Sequence, residues 1–153
     1  MKILTLWQPW ASLIIEDKKH FETRSWATSY RGPLGIHASQ KQPSKLTLDR
    51  SAIECFIKAG MIDKLPENRT FNGEYMTNWK DDLELGVILG HINLVDCIRI
   101  TEAYSAYVKK YMPNEYAFGD YTPGRWAWAL SDPVKLPVQI PAKGMQRLWE
   151  YDI

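Results

Sequence analysis

Apolar and polar positions change period several times along this chain, and each change marks an element. Lys2 to Trp7 (KILTLW) is a short run of strand formers and predicts an opening strand. Gln8-Pro9-Trp10 breaks it, with Pro9 suited to the first position of a helix. Ala11, Leu13, Ile14 and Ile15 then follow helical spacing and predict a short helix ending near Lys18. Asp17 stands where a C-terminal glycine would be expected. His20 to Trp26 predicts a second strand and Leu34 to Ala38 a third. Between them, Ala27 to Pro33 is a loop ending in a Tyr30-Arg31-Gly32-Pro33 turn.

Ser39 to Leu48 is polar and irregular. Thr47 or Asp49 can cap a helix running to about Ala59, with Ala52, Ile53, Phe56 and Ile57 as its buried stripe and Gly60 as its end. Met61 to Leu85 has few apolar residues and several turn signals. The region from about 40 to 85 therefore predicts a polar insertion or flap within one domain spanning 1–153. Gly86 to Ile100 (GVILGHINLVDCIRI) is long and β-branched, and predicts a central strand with a bulge or bend at Gly90. Thr101 can cap a helix reaching Tyr111, and Pro113 to Pro123 reads as a loop. Arg125 to Leu130 alternates as a strand, Val134 to Ile140 is an edge-type strand interrupted by Pro137, and Arg147 to Ile153 is a last one. About six strands with two or three flanking helices, in this order, predict an α+β mixed barrel over a doubly wound sheet.

Composition narrows the function classes. At 153 residues, 45% of them hydrophobic, the chain suits one domain with a real core. With 19 Lys+Arg against 18 Asp+Glu it lacks the basic excess of proteins held on nucleic acid mainly by phosphate neutralisation. A small pocket reading one nucleotide stays open. Seven Trp and eight Tyr, several beside Gly, Arg or Pro, are divided between core packing and a cleft lining. Cys55 and Cys97 are far apart and read as reduced, buried thiols of a cytoplasmic protein. His20, His37 and His91 lack metal-ligand spacing, and no cofactor motif is present. The start lacks the apolar core of a signal peptide, and no run approaches the ~18 apolar residues of a membrane span.

Candidate chemistry gathers between Asp17 and Trp26. In a strand Glu22 and Arg24 share a face, and Lys19 joins them only from the turn before it. Such a cation–carboxylate–cation cluster is either a surface ion-pair ladder or a site for an anionic or polar ligand. Arg is suited to bidentate contact with phosphate. Trp7, Trp10 and Trp26 lie at the ends of the joined elements. They either pack the first helix or stack on an unpaired base, which is worth about 1–3 kcal/mol per base. Arg31 is a phosphate contact or a solvated turn residue. His37 and Ser39 share a face of the third strand, and without a partner at readable spacing they make no triad. Arg125, following Gly124, reaches the cleft or pairs with Asp120 or Asp132.

Trp7-Gln8-Pro9-Trp10-Ala11, Lys19-x-x-Glu22-x-Arg24, Tyr30-Arg31-Gly32-Pro33 and Ile36-His37-Ala38-Ser39 together resemble the ASCH domain family. Gly124-Arg125-Trp126-Ala127-Trp128 and Pro141-x-Lys143-Gly144-x-Gln146-x-Leu148-Trp149 resemble its stand-alone prokaryotic and phage-type members. The likeness covers almost the whole chain except about Gln40 to Leu85. It implies a PUA-like β-barrel. In the family motif G-x-K-x-x-E-x-R, Lys19, Glu22 and Arg24 match while Asp17 replaces the usual glycine. The resemblance implies binding of RNA, a nucleotide or a modified nucleoside, single-stranded rather than duplex. Lys19, Glu22 and Arg24 would form the polar centre of the cleft, with Trp7, Gln8, Trp26, Arg31, Ser39 and Arg125 around it. Some small members are amidohydrolases acting on N4-acetylcytidine, and others are reported as ribonucleases. The amidohydrolases use a lysine and a threonine of this motif plus a distant glutamate. Here Glu22 holds the threonine's place and no distant glutamate is matched. A hydrolase with Lys19 and Glu22 as catalytic pair is therefore an alternative, and a regulatory protein-interaction module is another. Oligomeric state is left open.

Overall fold

The computed structural model describes residues 1–41, 46–48, 50–60, 75–77 and 83–153. The first apolar run forms β1 (Lys2–Leu6), and the helical one forms α1 (Trp10–Ile15). β2 (Phe21–Arg24) and β3 (Gly32–Ala38) follow. β4 (Leu46–Leu48), α2 (Arg50–Lys58) and β5 (Tyr75–Thr77) come next. The C-terminal half supplies β6 (Val87–Arg99), α3 (Glu102–Tyr111), α4 (Pro113–Phe118), β7 (Trp126–Pro141) and β8 (Leu148–Glu150).

Six strands make one mixed sheet in the order β2-β7-β6-β3-β1-β8, and β4 pairs with β5 separately. β1 and β3 are parallel, and every other pairing is antiparallel. The sheet curls into a half-barrel, giving the α+β architecture that the element order predicted and that is consistent with the PUA-like fold the resemblance implied. Period-two alternation puts Leu4, Leu6, Leu34, Ile36, Ile92 and Leu94 on the inner face, where α1 seats Ala11 and Ile14 against them. Burying each such aliphatic side chain contributes roughly 1.5–3 kcal/mol. On the other face Ile3, Ile88 and Trp149 make a smaller cluster.

Bulges bend the long β6–β7 pair. Ile92 alone faces Asp132 and Pro133 between the pairs Asn93↔Ser131 and His91↔Val134, and Asp132 takes φ 56°. Gly90 occupies a register shift, as its position in the strand pattern predicted. A Cβ there would collide with the Val134 carbonyl oxygen, so only glycine lets β7 approach.

Several boundaries and one burial differ from the sequence reading. β7 is a single strand of 16 residues rather than two, because the irregularity at Asp132–Pro133 is absorbed as a bulge. Pro113–Phe118 is helical rather than a loop. Pro113 opens it, where a missing N–H costs nothing, and Glu115 lies in its first turn. Pro9 is the N-cap of α1 instead of its first helical residue, and the helix stops at Ile15 rather than near Lys18. Cys97 is half-buried rather than buried, while Cys55 is buried. The expected insertion or flap falls largely on residues outside those described. Within its span α2 forms as predicted, with Ile53 buried. Among the described residues no helix is long and apolar enough to cross a membrane.

Candidate ligand-binding cleft

α1 hands the chain to β2 through a tight turn. The Asp17 N–H donates to Ile14 O at 3.2 Å and Lys18 N–H to Leu13 O at 2.8 Å. That is a Schellman pattern, with Asp17 at φ 59° in the place of the glycine such ends prefer. Lys19 follows in this turn and is 1% exposed. Its ammonium donates to the Phe21 carbonyl and lines neither of the cavities described below. His20 is held by α4. Its backbone N–H donates to Glu115 Oε1 at 2.7 Å, and its ring Nδ1 meets the same oxygen at 2.8 Å.

β2 then runs along β7 in the register Glu22↔Trp128 and Arg24↔Trp126, so the carboxylate and the guanidinium do share a face. Both border a cavity of about 540 Å³, walled by Thr5, Trp7 and Trp10 on one side and by Ala117 to Asp120 with Arg125 on the other. Glu22 is 7% exposed. Its carboxylate has no hydrogen-bond or ion-pair partner among the described residues. Its charge acts at Tyr121, whose phenol is pushed up first by burial, then by Glu115, Tyr104 and Glu22. Arg24 reaches β1. β8 pairs β1 only as far as Leu4↔Leu148, and the next carbonyl, Thr5 O, accepts from Arg24 Nη2 at 3.3 Å. Arg24 Nε remains buried without a partner.

Opposite, Arg125 Nε lies 3.2 Å from Asp120 O and 3.4 Å from Asp120 Oδ2, and its Nη2 donates to Thr23 O at 3.4 Å. Arg125 thus borders the cavity and also pairs with Asp120, one of the two partners weighed for it from sequence. Hydrogen bonds from the Thr122 hydroxyl and backbone, with the Arg125 charge, hold the Asp120 carboxyl below its ordinary range against the opposing effect of burial. Thr23 Oγ1 accepts from the Asp120 N–H at 2.9 Å. Gly119 lets the wall close, since a Cβ there would stand 2.9 Å from the Tyr121 ring and 3.1 Å from Thr23 Cγ2.

A second cavity of about 720 Å³ shares Thr5, Trp7, Arg24 and Trp26 with the first. Its far side comes from His37 of β3, from Ser39 and Lys41 just after it, and from the β7–β8 loop (Lys143, Gly144, Arg147). Trp26 forms part of the partition, edge-on to Trp128 at 4.7 Å and under the Arg147 guanidinium at 5.2 Å. His37 is 1% exposed; its Nε2 donates to Ala142 O at 2.9 Å, which leaves Nδ1 as a buried acceptor with no partner. Burial lowers its pKa, partly offset by that hydrogen bond.

Of the residues singled out from sequence, the structure brings Trp7, Glu22, Arg24, Trp26 and Arg125 around the first cavity, and Ser39 joins at the second. Three lie elsewhere. Gln8 is fully buried and shapes α1, its Oε1 accepting the Ser12 N–H at 3.0 Å and its Nε2 donating to Ser12 Oγ and Glu84 O. Arg31 folds onto its own turn, donating to Thr28 O and Tyr30 O and reaching Asp96. Lys19 is the third. Sequence reasoning did not assign Thr23, Asp120, Lys41, Lys143 or Arg147 to the site. The Lys143-Gly144-x-Gln146 motif was the available signal for the loop residues. Among the described residues no group of His, Cys, Asp or Glu could hold a metal ion.

The family model of the ASCH domain matches residues 4–137. Activating signal cointegrator 1 of Homo sapiens is 27% identical over 149 residues, and the Mus musculus protein of the same name is 26% identical over 149. Each alignment takes in 97% of this chain and 22% of the relative, so the chain spans about a fifth of the length of the curated relatives it matches.

Proposed function

We propose that this chain, which belongs to the ASCH domain family, binds RNA or a nucleotide by seating one unpaired base in the cavity between β2 and α4. One observation carries the reading. Glu22, a residue 7% exposed whose carboxylate has no hydrogen-bond or ion-pair partner among the described residues, and Arg24, whose buried Nε is unpaired, border the same tryptophan-walled cavity. Buried polar groups are ordinarily hydrogen-bonded, and leaving them unmade costs free energy. A ligand that supplies the missing partners recovers that cost. An ionised carboxylate is acceptor-only, while the guanidinium only donates. Together they complement a base edge that offers an amino group beside a carbonyl or ring nitrogen, and carboxylates accept from the cytosine amino group in this way. Trp7, Trp10 and Trp26 supply faces for stacking. A volume of about 540 Å³ lies within the usual size of small-ligand pockets.

Such an edge is occupied in a duplex, so the ligand is single-stranded. Hydrolysis of an acylated base would require Lys19 to meet the ligand, and its ammonium is engaged by the Phe21 carbonyl away from both cavities. The geometry therefore supports binding over turnover.

Titration of the intrinsic tryptophan fluorescence with cytidine, guanosine, adenosine and uridine monophosphates and with a short single-stranded RNA tests the reading. Saturable binding that is lost in Glu22→Gln and in Arg24→Ala, with circular dichroism unchanged, supports it. Unaltered affinity in both variants overturns it.

A further inference from the structure

We propose that the second cavity is a phosphate site for the strand that leaves the first, so that the ligand is a nucleotide or oligonucleotide rather than a free nucleoside. This rests on the reading of the first cavity as the base site. Four cationic side chains, Arg24, Lys41, Lys143 and Arg147, line the second cavity, and no Asp or Glu does so among the described residues. The whole chain has 19 Lys+Arg and 18 Asp+Glu, so this local segregation of charge departs strongly from the average. Lys41, Lys143 and Arg147 form no ion pair with any described residue, and Arg147 instead stands over the Trp26 ring. Lys41, Lys143 and Arg147 are exposed, and cations without counter-charges are free to pair with a phosphate.

The two cavities also differ in charge. In the first, Glu22 and Asp120 balance Arg24 and Arg125, and the carboxylates attract amino groups, whereas every charged side chain lining the second among the described residues is a cation. Arg24 belongs to both, with its buried Nε unpaired. Trp7 and Trp26 form the shared wall between a base on one side and its phosphate on the other. Charge thus fixes the polarity of the bound chain: base toward β2 and α4, phosphate toward the β7–β8 loop. A terminal phosphate and an internal phosphodiester offer the same chemistry here.

The test titrates the full chain with cytidine, cytidine 5′-monophosphate, cytidine 3′-monophosphate and a five-nucleotide single-stranded RNA across a fourfold range of salt. Wild type is compared with Lys41→Ala, Lys143→Ala and Glu22→Gln. The proposal expects phosphate-bearing ligands to bind tighter than cytidine, with a log–log salt slope of about −0.7 per phosphate, or about 2.6-fold in affinity per contact over that range. Each lysine variant is expected to flatten the slope by up to about 0.7 while leaving cytidine affinity unchanged. A gain at a monophosphate assigns a terminal phosphate, and a gain only with the RNA assigns a phosphodiester. If cytidine binds in a Glu22-dependent manner and phosphates add nothing, or if both lysine variants keep the wild-type slope, the phosphate site is refuted and the base site stands. If none of the ligands binds the wild type, both fall together.

Discussion

Replacing Glu22 by Gln should raise stability and lower affinity, a pairing of signs that a structural role could not produce. Glu22 is 7% exposed as a residue and its carboxylate has no hydrogen-bond or ion-pair partner among the described residues, so only solvent reaching its oxygens offsets the cost of its partial desolvation in the unliganded protein. An amide of the same shape removes the charge. Its own unpaired groups keep part of the penalty, which places the expected gain at about 1 kcal/mol. For a chain of this length that is a rise in Tm of about 2–4 °C. Binding moves the other way. Losing a hydrogen bond to a charged group costs about 1.5–3 kcal/mol, or roughly 10- to 150-fold in Kd. Thermal unfolding followed by circular dichroism and fluorescence titration with cytidine 5′-monophosphate measure the two arms on one sample. A fall in Tm with unchanged affinity would refute the reasoning, because it would mean that the carboxylate holds the fold and meets no ligand.

Other consequences follow from the same geometry. Asp17→Gly should stabilise the protein by about 1 kcal/mol, since the residue sits at φ 59° and its contact to His20 is exposed; a drop in Tm would argue against strain in that turn. Gly90→Ala should cost about 1–3 kcal/mol or more in denaturant unfolding, because the clash is with backbone rather than with a movable side chain. His37 has a folded-state pKa below its unfolded value, so the unfolded chain binds more protons as pH falls. Stability should therefore be full above the ordinary histidine range near pH 6.5 and decline as pH falls from there toward the lower folded pKa. His37→Gln should flatten this dependence, and an unchanged profile would exclude His37 as its source.

Much of the cleft was legible because strand period and helix spacing are local properties. Glu22 and Arg24 share a face for the reason that any i, i+2 pair does, and Gly90 announced the β6 bulge. What remained hidden depends on distant parts of the chain. The α4 wall was missed because Pro113 and Gly119 frame only six helical residues, too short for periodicity to show. Lys19 looked like part of the polar centre because spacing cannot reveal that its ammonium turns onto the Phe21 carbonyl. Gln8 and Arg31 likewise have local hydrogen-bond partners that compete with any ligand. The basic loop at Lys143 and Arg147 joins the site only through the pairing of β8 with β1 at the sheet edge.

The central claim is that an unpaired base enters the tryptophan-walled cavity beside Glu22. The most direct measurement is the indole N–H spectrum of the seven tryptophans during titration with cytidine 5′-monophosphate. Saturable shifts of Trp7, Trp10 and Trp26 in the wild type, absent from Glu22→Gln, are predicted. Shifts confined to other tryptophans, or equal in the two proteins, would contradict the account.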